Sequence, residues 1–149
     1  MAQVDGLGDA AIRDILTRVR RIAVVGASPN PLRPSHDVLG VLINRGYETF
    51  PVNPGHAGAR IGGRLVFARL ADVPVAIDMV DVFRNCAAAA DAVDAALALD
   101  PLPSVIWMQV GVINLPAAER ARARGVTVVM NRCPAIELRR LQVSGPAQS

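Results

Sequence analysis

Ten consecutive residues, Gly26-Ala27-Ser28-Pro29-Asn30-Pro31-Leu32-Arg33-Pro34-Ser35, lead from a β-branched run into a stretch with helical spacing, and their types suit the capture of a phosphate group. Gly26 permits a sharp backbone turn, Ser28 and Ser35 carry hydroxyls, and the start of the next helix offers free N–H groups and positive dipole charge. Arg33 adds a forked donor that never loses its charge. The same residues would also serve an ordinary strand-to-helix turn. A second cation, Arg84, follows Val82-Phe83 at the end of another apolar run and is read as beginning the Ala-rich helix. A cation there opposes the helix dipole, so it asks for a reason. A third strand end reads Gln109-Val110-Gly111, where Gln109 offers an amide and Gly111 lets a backbone come close to a ligand.

Other chemistries fail on the same residues. The dinucleotide fingerprint G-x-G-x-x-G is missing, because position 28 is Ser and three prolines stiffen the loop. The second apolar run ends in Val52-Asn53-Pro54 where an adenosine ribose would want Asp or Glu, which argues against NAD. An NADP-linked oxidoreductase, with Arg33 or Arg84 on the 2′-phosphate, stays open as an alternative. No Ser/His/Asp order, paired carboxylates or nucleophile with an evident base can be assembled, so no catalytic residue is assigned and His36 is the one candidate base near the site. Two cysteines and two histidines are too few and wrongly spaced for a disulfide framework or a metal. Cys133 falls at the cap of the closing helix, where the dipole favours thiolate, although a buried inert thiol fits the position too; Cys86 reads as packing.

The elements that must position these residues alternate. Strands are predicted at Arg21 to Gly26, Tyr47 to Val52, Ile77 to Val82, Val105 to Gln109 and Val126 to Met130. Helices are predicted at Gly8 to Arg18, Ser35 to Arg45, Arg84 to Leu99, Pro116 to Arg124 and Pro134 to Leu141. Ser35 can cap the second helix and Gly46 stops it; Asn114 with Pro116 opens the fourth and Gly125 closes it. Short connections and right-handed crossovers then give an α/β fold, an open parallel five-stranded sheet of order 3-2-1-4-5 with helices on both faces. In such a sheet a ligand sits beyond the carboxyl ends of the strands, beside the first, and all the residues singled out above lie there.

The 149 residues suit one domain, 1–149, with its core at about 12–141 and a flexible tail at 142–149. Apolar residues make up 52% and charged residues 19%, enough burial to exclude a disordered chain. No apolar run is long enough to span a bilayer, and no signal-type segment opens the sequence, so the cytoplasm is the expected location and no membrane is expected as a partner. All 16 basic residues are Arg, with a net charge of +3, and they are scattered. With only five aromatic residues among them, no nucleic-acid partner is expected, and nothing points to a protein partner.

Taken together, Gly26 to His36, Pro51-Val52-Asn53-Pro54, Ile77 to Arg84, Gln109-Val110-Gly111 and Met130-Asn131-Arg132-Cys133-Pro134 resemble the small stand-alone CoA-binding proteins, which are similar to the CoA-binding domain of the succinyl-CoA synthetase alpha subunit. The resemblance runs from about Ile12 to Leu141 with all five blocks in order, and Arg139-Arg140-Leu141 agrees with it. It implies a Rossmann-like domain that holds coenzyme A or an acyl-CoA, a small-molecule ligand, across the strand ends. Gly26, Ala27, Ser28 and Arg33, with Pro34 and Ser35 beside them, would serve the phosphates. Val52, Asn53 and Pro54 would meet the adenosine end, Val82, Phe83 and Arg84 further phosphate or ribose, and Gln109 and Gly111 the pantetheine. The resemblance implies Asp where Asn131 stands and often Lys where Ala135 stands. The expected role is a non-catalytic carrier, sensor or regulator, with a Cys133–CoA mixed disulfide as an alternative.

Overall fold

The computed structural model describes residues 3–147. Five β-branched or aliphatic runs form one parallel sheet: β1 (Arg21–Val25), β2 (Glu48–Val52), β5 (Met79–Val82), β6 (Val105–Met108) and β7 (Thr127–Val129). A short antiparallel pair, β3 (Arg60–Ile61) and β4 (Arg64–Leu65), lies between β2 and β5 in the chain. The helices are α1 (Asp9–Arg18), α2 (Pro34–Asn44), α3 (Cys86–Leu97), α4 (Leu115–Ala123) and α5 (Pro134–Arg140).

The spatial order is β2-β1-β5-β6-β7. Outside β2, Phe67 bridges to Val52 in parallel, donating its N–H to Pro51 and accepting from Asn53, both at 2.9 Å. Counting that one-residue strand, chain order across the sheet is 3-2-1-4-5-6, the Rossmann-like reversal beside β1. The third place therefore goes to the stretch around Phe67, and the run expected to be third, Ile77 to Val82, crosses to the other side of β1.

Strand alternation divides the core in two. Ile22, Val24, Met79, Val105, Trp107 and Val129 face α1, α2 and α5, while Ala23, Val25, Val80, Val82, Ile106 and Met108 face α3 and α4. Small side chains on the second face, Ala89, Ala92 and Ala96 of α3 and Ala117, Ala118 and Ala121 of α4, let those helices lie close to the sheet. No helix among the described residues is long and apolar enough to cross a membrane.

Two helix starts differ from expectation. The N-cap of α2 is Arg33, with Pro34 in the first turn, and Ser35, inside the helix, gives its Oγ as acceptor to the Ser28 N–H at 3.1 Å. The N-cap of α3 is Asn85, whose side chain accepts from the Ala88 N–H, so Arg84 precedes that helix and does not begin it. The segment expected to be flexible, 142–149, makes contacts with the body of the domain in its described part. Val143 is buried, the Arg45 Nη1 donates to its carbonyl at 2.5 Å, and the Ala147 N–H reaches the Thr17 carbonyl at 2.7 Å. The Val143 N–H also donates to the Leu138 carbonyl, and Arg20 Nη2 to the Ala147 carbonyl; residues 148 and 149 lie outside the described residues.

Candidate functional site

The carboxyl ends of β2, β1, β5 and β6 and the start of α5 surround a cleft of about 760 Å³. From the β2 side it is lined by Asn53 and His56, by Gly26, Ser28, Arg33, Pro34 and Ser35 after β1, and by Phe83 and Arg84 after β5. Gln109, Val110 and Val112 follow from β6, and Cys133 and Ile136 from α5. A second hollow of about 490 Å³ opens toward α3, and its walls include Val52, Pro54, Arg69 and Arg84. Arg84 is common to both.

The turn after β1 is knit by its own side chains. Ser28 Oγ accepts from the Asn30 N–H at 3.1 Å, and Asn30 Oδ1 accepts from the Leu32 N–H at 3.0 Å. These bonds fix the loop before any ligand arrives and leave the first turn of α2 without a side-chain cap. Asn53 braces the loop from the side: its Nδ2 donates to the Ala27 carbonyl at 2.8 Å, and its Oδ1 accepts from the Gly55 N–H at 2.9 Å. Both polar atoms of Asn53 are thus committed to the protein.

Gly26 has φ +88, and a Cβ placed on it would lie 2.3 Å from the Phe83 carbonyl oxygen. Only glycine lets β1 and β5 end this close together.

The charge pattern is one-sided. No carboxylate lines the larger cleft, and neither Arg33 nor Arg84 has an ion-pair partner among the described residues. Arg69, in the smaller hollow, pairs with Asp72 at 3.2 Å. At the other end Gln109 is 6% exposed, and its Oε1 has no hydrogen-bond partner. A buried acceptor without a donor is costly, and Gln109 is itself among the residues that line the cleft. One row deeper on the same sheet face lies Asp81, paired in register with Val24 and Trp107 and 0% exposed. Neither of its oxygens has a partner, and burial pushes its carboxyl well above the usual carboxylate range.

The far wall is held from behind. Arg132, 3% exposed in its side chain, donates Nε and Nη2 to Asp5 at 2.9 and 3.0 Å and Nη1 to Glu137 at 3.3 Å. Asp5 also accepts from the Met130 N–H at 3.1 Å, which anchors the turn between β7 and α5. Burial pushes the Asp5 carboxyl up, but the bonds from Arg132, Leu7 and Met130 outweigh it and hold that carboxyl below its ordinary value. Within the turn, Asn131 sits at φ 59, and its Oδ1 accepts from the Gly111 N–H at 2.8 Å. That bond needs an acceptor oxygen, which Asn supplies as well as the Asp implied by the resemblance, and Asn tolerates the left-handed conformation.

Of the residues singled out from the sequence, Gly26, Ser28, Arg33, Pro34, Ser35, Asn53, Phe83, Arg84 and Gln109 come together on the larger cleft, and Val52 and Pro54 on the smaller. Ala27 and Val82 line neither, since both are fully buried in the core. Gly111 lines neither as well: its N–H goes to Asn131, and its carbonyl accepts from Cys86 Sγ at 3.3 Å. Cys86, read as packing, is exposed, whereas Cys133 lines the cleft half-buried. His36 stands in α2 outside the lining, and the histidine on the cleft is His56. The sequence reading also missed Ile136 and Arg69, which only tertiary folding brings to these walls.

A Rossmann-like sheet with its cleft at the topological switch point defines a nucleotide-binding class of domain. Within that class, residues 20–139 match the model of the CoA binding domain family, and the chain belongs to that family. It is 38% identical over 124 residues to the uncharacterized protein YneT of Bacillus subtilis, covering 83% of this chain and 89% of that one. A hypothetical protein from Pyrococcus horikoshii superposes with a TM-score of 0.89 at 36% identity, over 95% of this chain and 97% of the other. A Thermus thermophilus protein superposes with a TM-score of 0.85 at 35% identity, over 91% and 99%. These relatives are small proteins matched along nearly their whole length.

Proposed function

We propose that this chain binds coenzyme A across the strand ends and does so without chemistry of its own, as a carrier, sensor or regulator in the cytoplasm. The observation that carries the reading is the polarity of the cleft: toward one end stand two guanidinium groups with no ion-pair partner among the described residues and no carboxylate, and toward the other the uncharged Gln109, Val110 and Ile136. Coenzyme A has that pattern. Its pyrophosphate and 3′-phosphate ask for Arg33, Arg84, Ser35 and the first turn of α2, and the amide N–H groups of its pantetheine arm answer Gln109. The smaller hollow, with Val52, Pro54 and Arg69, suits the adenosine end. When bound, coenzyme A supplies a thiol for acyl transfer, and the protein's part is to hold and shield it.

A thermal shift series tests the reading. At one hundred times its dissociation constant, a ligand of the native state stabilises by about 2.7 kcal/mol. At about 2–4 °C per kcal/mol this raises Tm by roughly 5–10 °C. Coenzyme A should give that shift, whereas a larger shift with NADPH would replace the reading with a dinucleotide site.

One observation favours a second reading, redox regulation: Cys133 is the cysteine that lines the cleft. Its thiol and that of coenzyme A would form a disulfide while diamide takes up the two electrons and two protons released. Intact mass after treatment with diamide and coenzyme A should rise by one coenzyme A, and should not rise in Cys133→Ala. Absence of an adduct on the unmodified sequence ends this reading.

A further inference from the structure

The two ends of the cleft differ in more than charge. Its cations stand beyond β1 and β5, whereas its β6 and α5 side, made by Gln109, Val110, Val112, Cys133 and Ile136, carries no formal charge. Six large apolar side chains are exposed among the described residues, and two of them, Val110 at 61% and Ile136 at 51%, line this cleft. Scattered exposed apolar residues are ordinary, but two that line the uncharged side of a ligand cleft present apolar surface that gains by being covered.

The order of the sheet says what reaches it. Neighbouring strands are spaced by about 4.8 Å, so the rim from β1 to β7 spans roughly 14 Å. A ligand whose phosphates lie at Arg33 and Arg84, with an amide at Gln109, therefore directs its neutral terminus toward Val110 and Ile136. A free thiol there would leave both side chains in water. An aliphatic chain attached to that thiol would cover them.

We infer that the ligand this cleft is shaped for is an acyl thioester of coenzyme A with a short aliphatic acyl group, seated on Val110, Val112 and Ile136. The inference rests on the coenzyme A reading of the cleft and adds the identity of the cargo. Burying one methylene is worth about 0.8 kcal/mol, close to a four-fold change in affinity. Burial at an open rim should realise part of that.

Isothermal titration with coenzyme A, acetyl-CoA, butyryl-CoA and hexanoyl-CoA tests it. Affinity should rise about two- to four-fold per methylene from acetyl to hexanoyl. The ratio of hexanoyl-CoA to coenzyme A affinity should collapse toward one in Ile136→Ser and in Val110→Ser. Reading the ratio cancels any effect of either change on the shared nucleotide, and both positions are exposed enough to accept serine without unfolding. If coenzyme A binds and the series is flat in the unmodified protein, the acyl site is wrong and the coenzyme A reading stands. A flat series in a protein that sediments as a dimer would give this wall to a second copy and overturn the inference in the same way. If no member of the series binds, both readings fall.

Discussion

Gly26→Ala is the sharpest structural test, because its cost follows from two separate features of one position. The backbone there has φ +88, a conformation worth about 1–2 kcal/mol against any residue with a Cβ. The added carbon would lie 2.3 Å from the Phe83 oxygen and 3.0 Å from the Phe83 carbonyl carbon, about 1 Å inside ordinary carbon–oxygen contact. The strands cannot part freely to relieve this. Gly26 N–H is bonded to the Val52 carbonyl at 2.9 Å and Phe83 N–H to the Val25 carbonyl at 2.8 Å. Overpacking of this kind costs about 1–3 kcal/mol. Together the loss should be about 2–5 kcal/mol, or roughly 5–20 °C in Tm for a chain of this length. Trp107, the single tryptophan and fully buried, reports the unfolding by fluorescence. Gly63→Ala is the control, with φ +79 and nothing within 4 Å of the added carbon, so it should show the conformational cost alone. Because Gly26, Phe83 and Arg84 line the cleft, coenzyme A affinity should fall more than ten-fold in Gly26→Ala and stay unchanged in Gly63→Ala. Equal stability losses in the two variants would mean that the close approach of β1 and β5 at Gly26 adds no cost of its own.

Two buried carboxylates should move stability in opposite directions with pH. Asp81 has its carboxyl raised by burial, so the folded state keeps a proton that the unfolded chain has already released. Stability from this group is therefore highest below about pH 4 and declines as pH rises toward the folded value, by up to about 1.4 kcal/mol per unit. Asp81→Asn removes that decline, and urea midpoints measured across the acid-to-neutral range should show its stability gaining on the unmodified protein as pH rises; parallel profiles would contradict it. Asp5 is held low, so its contribution is present above about pH 4 and disappears as pH falls through its folded value. Asp5→Asn leaves the Arg132 guanidinium buried with Glu137 as its remaining carboxylate, which should cost about 3–5 kcal/mol at neutral pH. The difference should vanish in acid, and a pH-independent difference would show that shape alone is lost.

The sheet was legible where burial on both faces leaves a continuous apolar run, as in β1 and β6, and the phosphate turn where Gly, Ser and Arg follow such a run. What stayed hidden depends on long-range pairing. The strand beyond β2 is the single residue Phe67, too short for any periodicity to register. The clamp from Asp5 to Arg132 joins residues 127 apart in the chain, and no local pattern announces it. Ser35 has the residue type of a cap but closes the loop onto Ser28, since Pro34 starts the helix one residue earlier. Asn53 was readable as a ligand contact by its place after β2, yet both its polar atoms brace the neighbouring loops. Ile136 and Val110 are ordinary residues of a helix and a loop, and only the fold brings both to the lining of one cleft.

Whether the two guanidinium groups hold coenzyme A is read by calorimetric titration of the protein, performed beside the Arg33→Ala/Arg84→Ala double variant and beside 3′-dephospho-coenzyme A. A single saturable site is predicted for the unmodified chain, weakened both by removal of the two guanidinium groups and by removal of the 3′-phosphate. No saturable heat with coenzyme A, or equal affinity in the double variant, would contradict it.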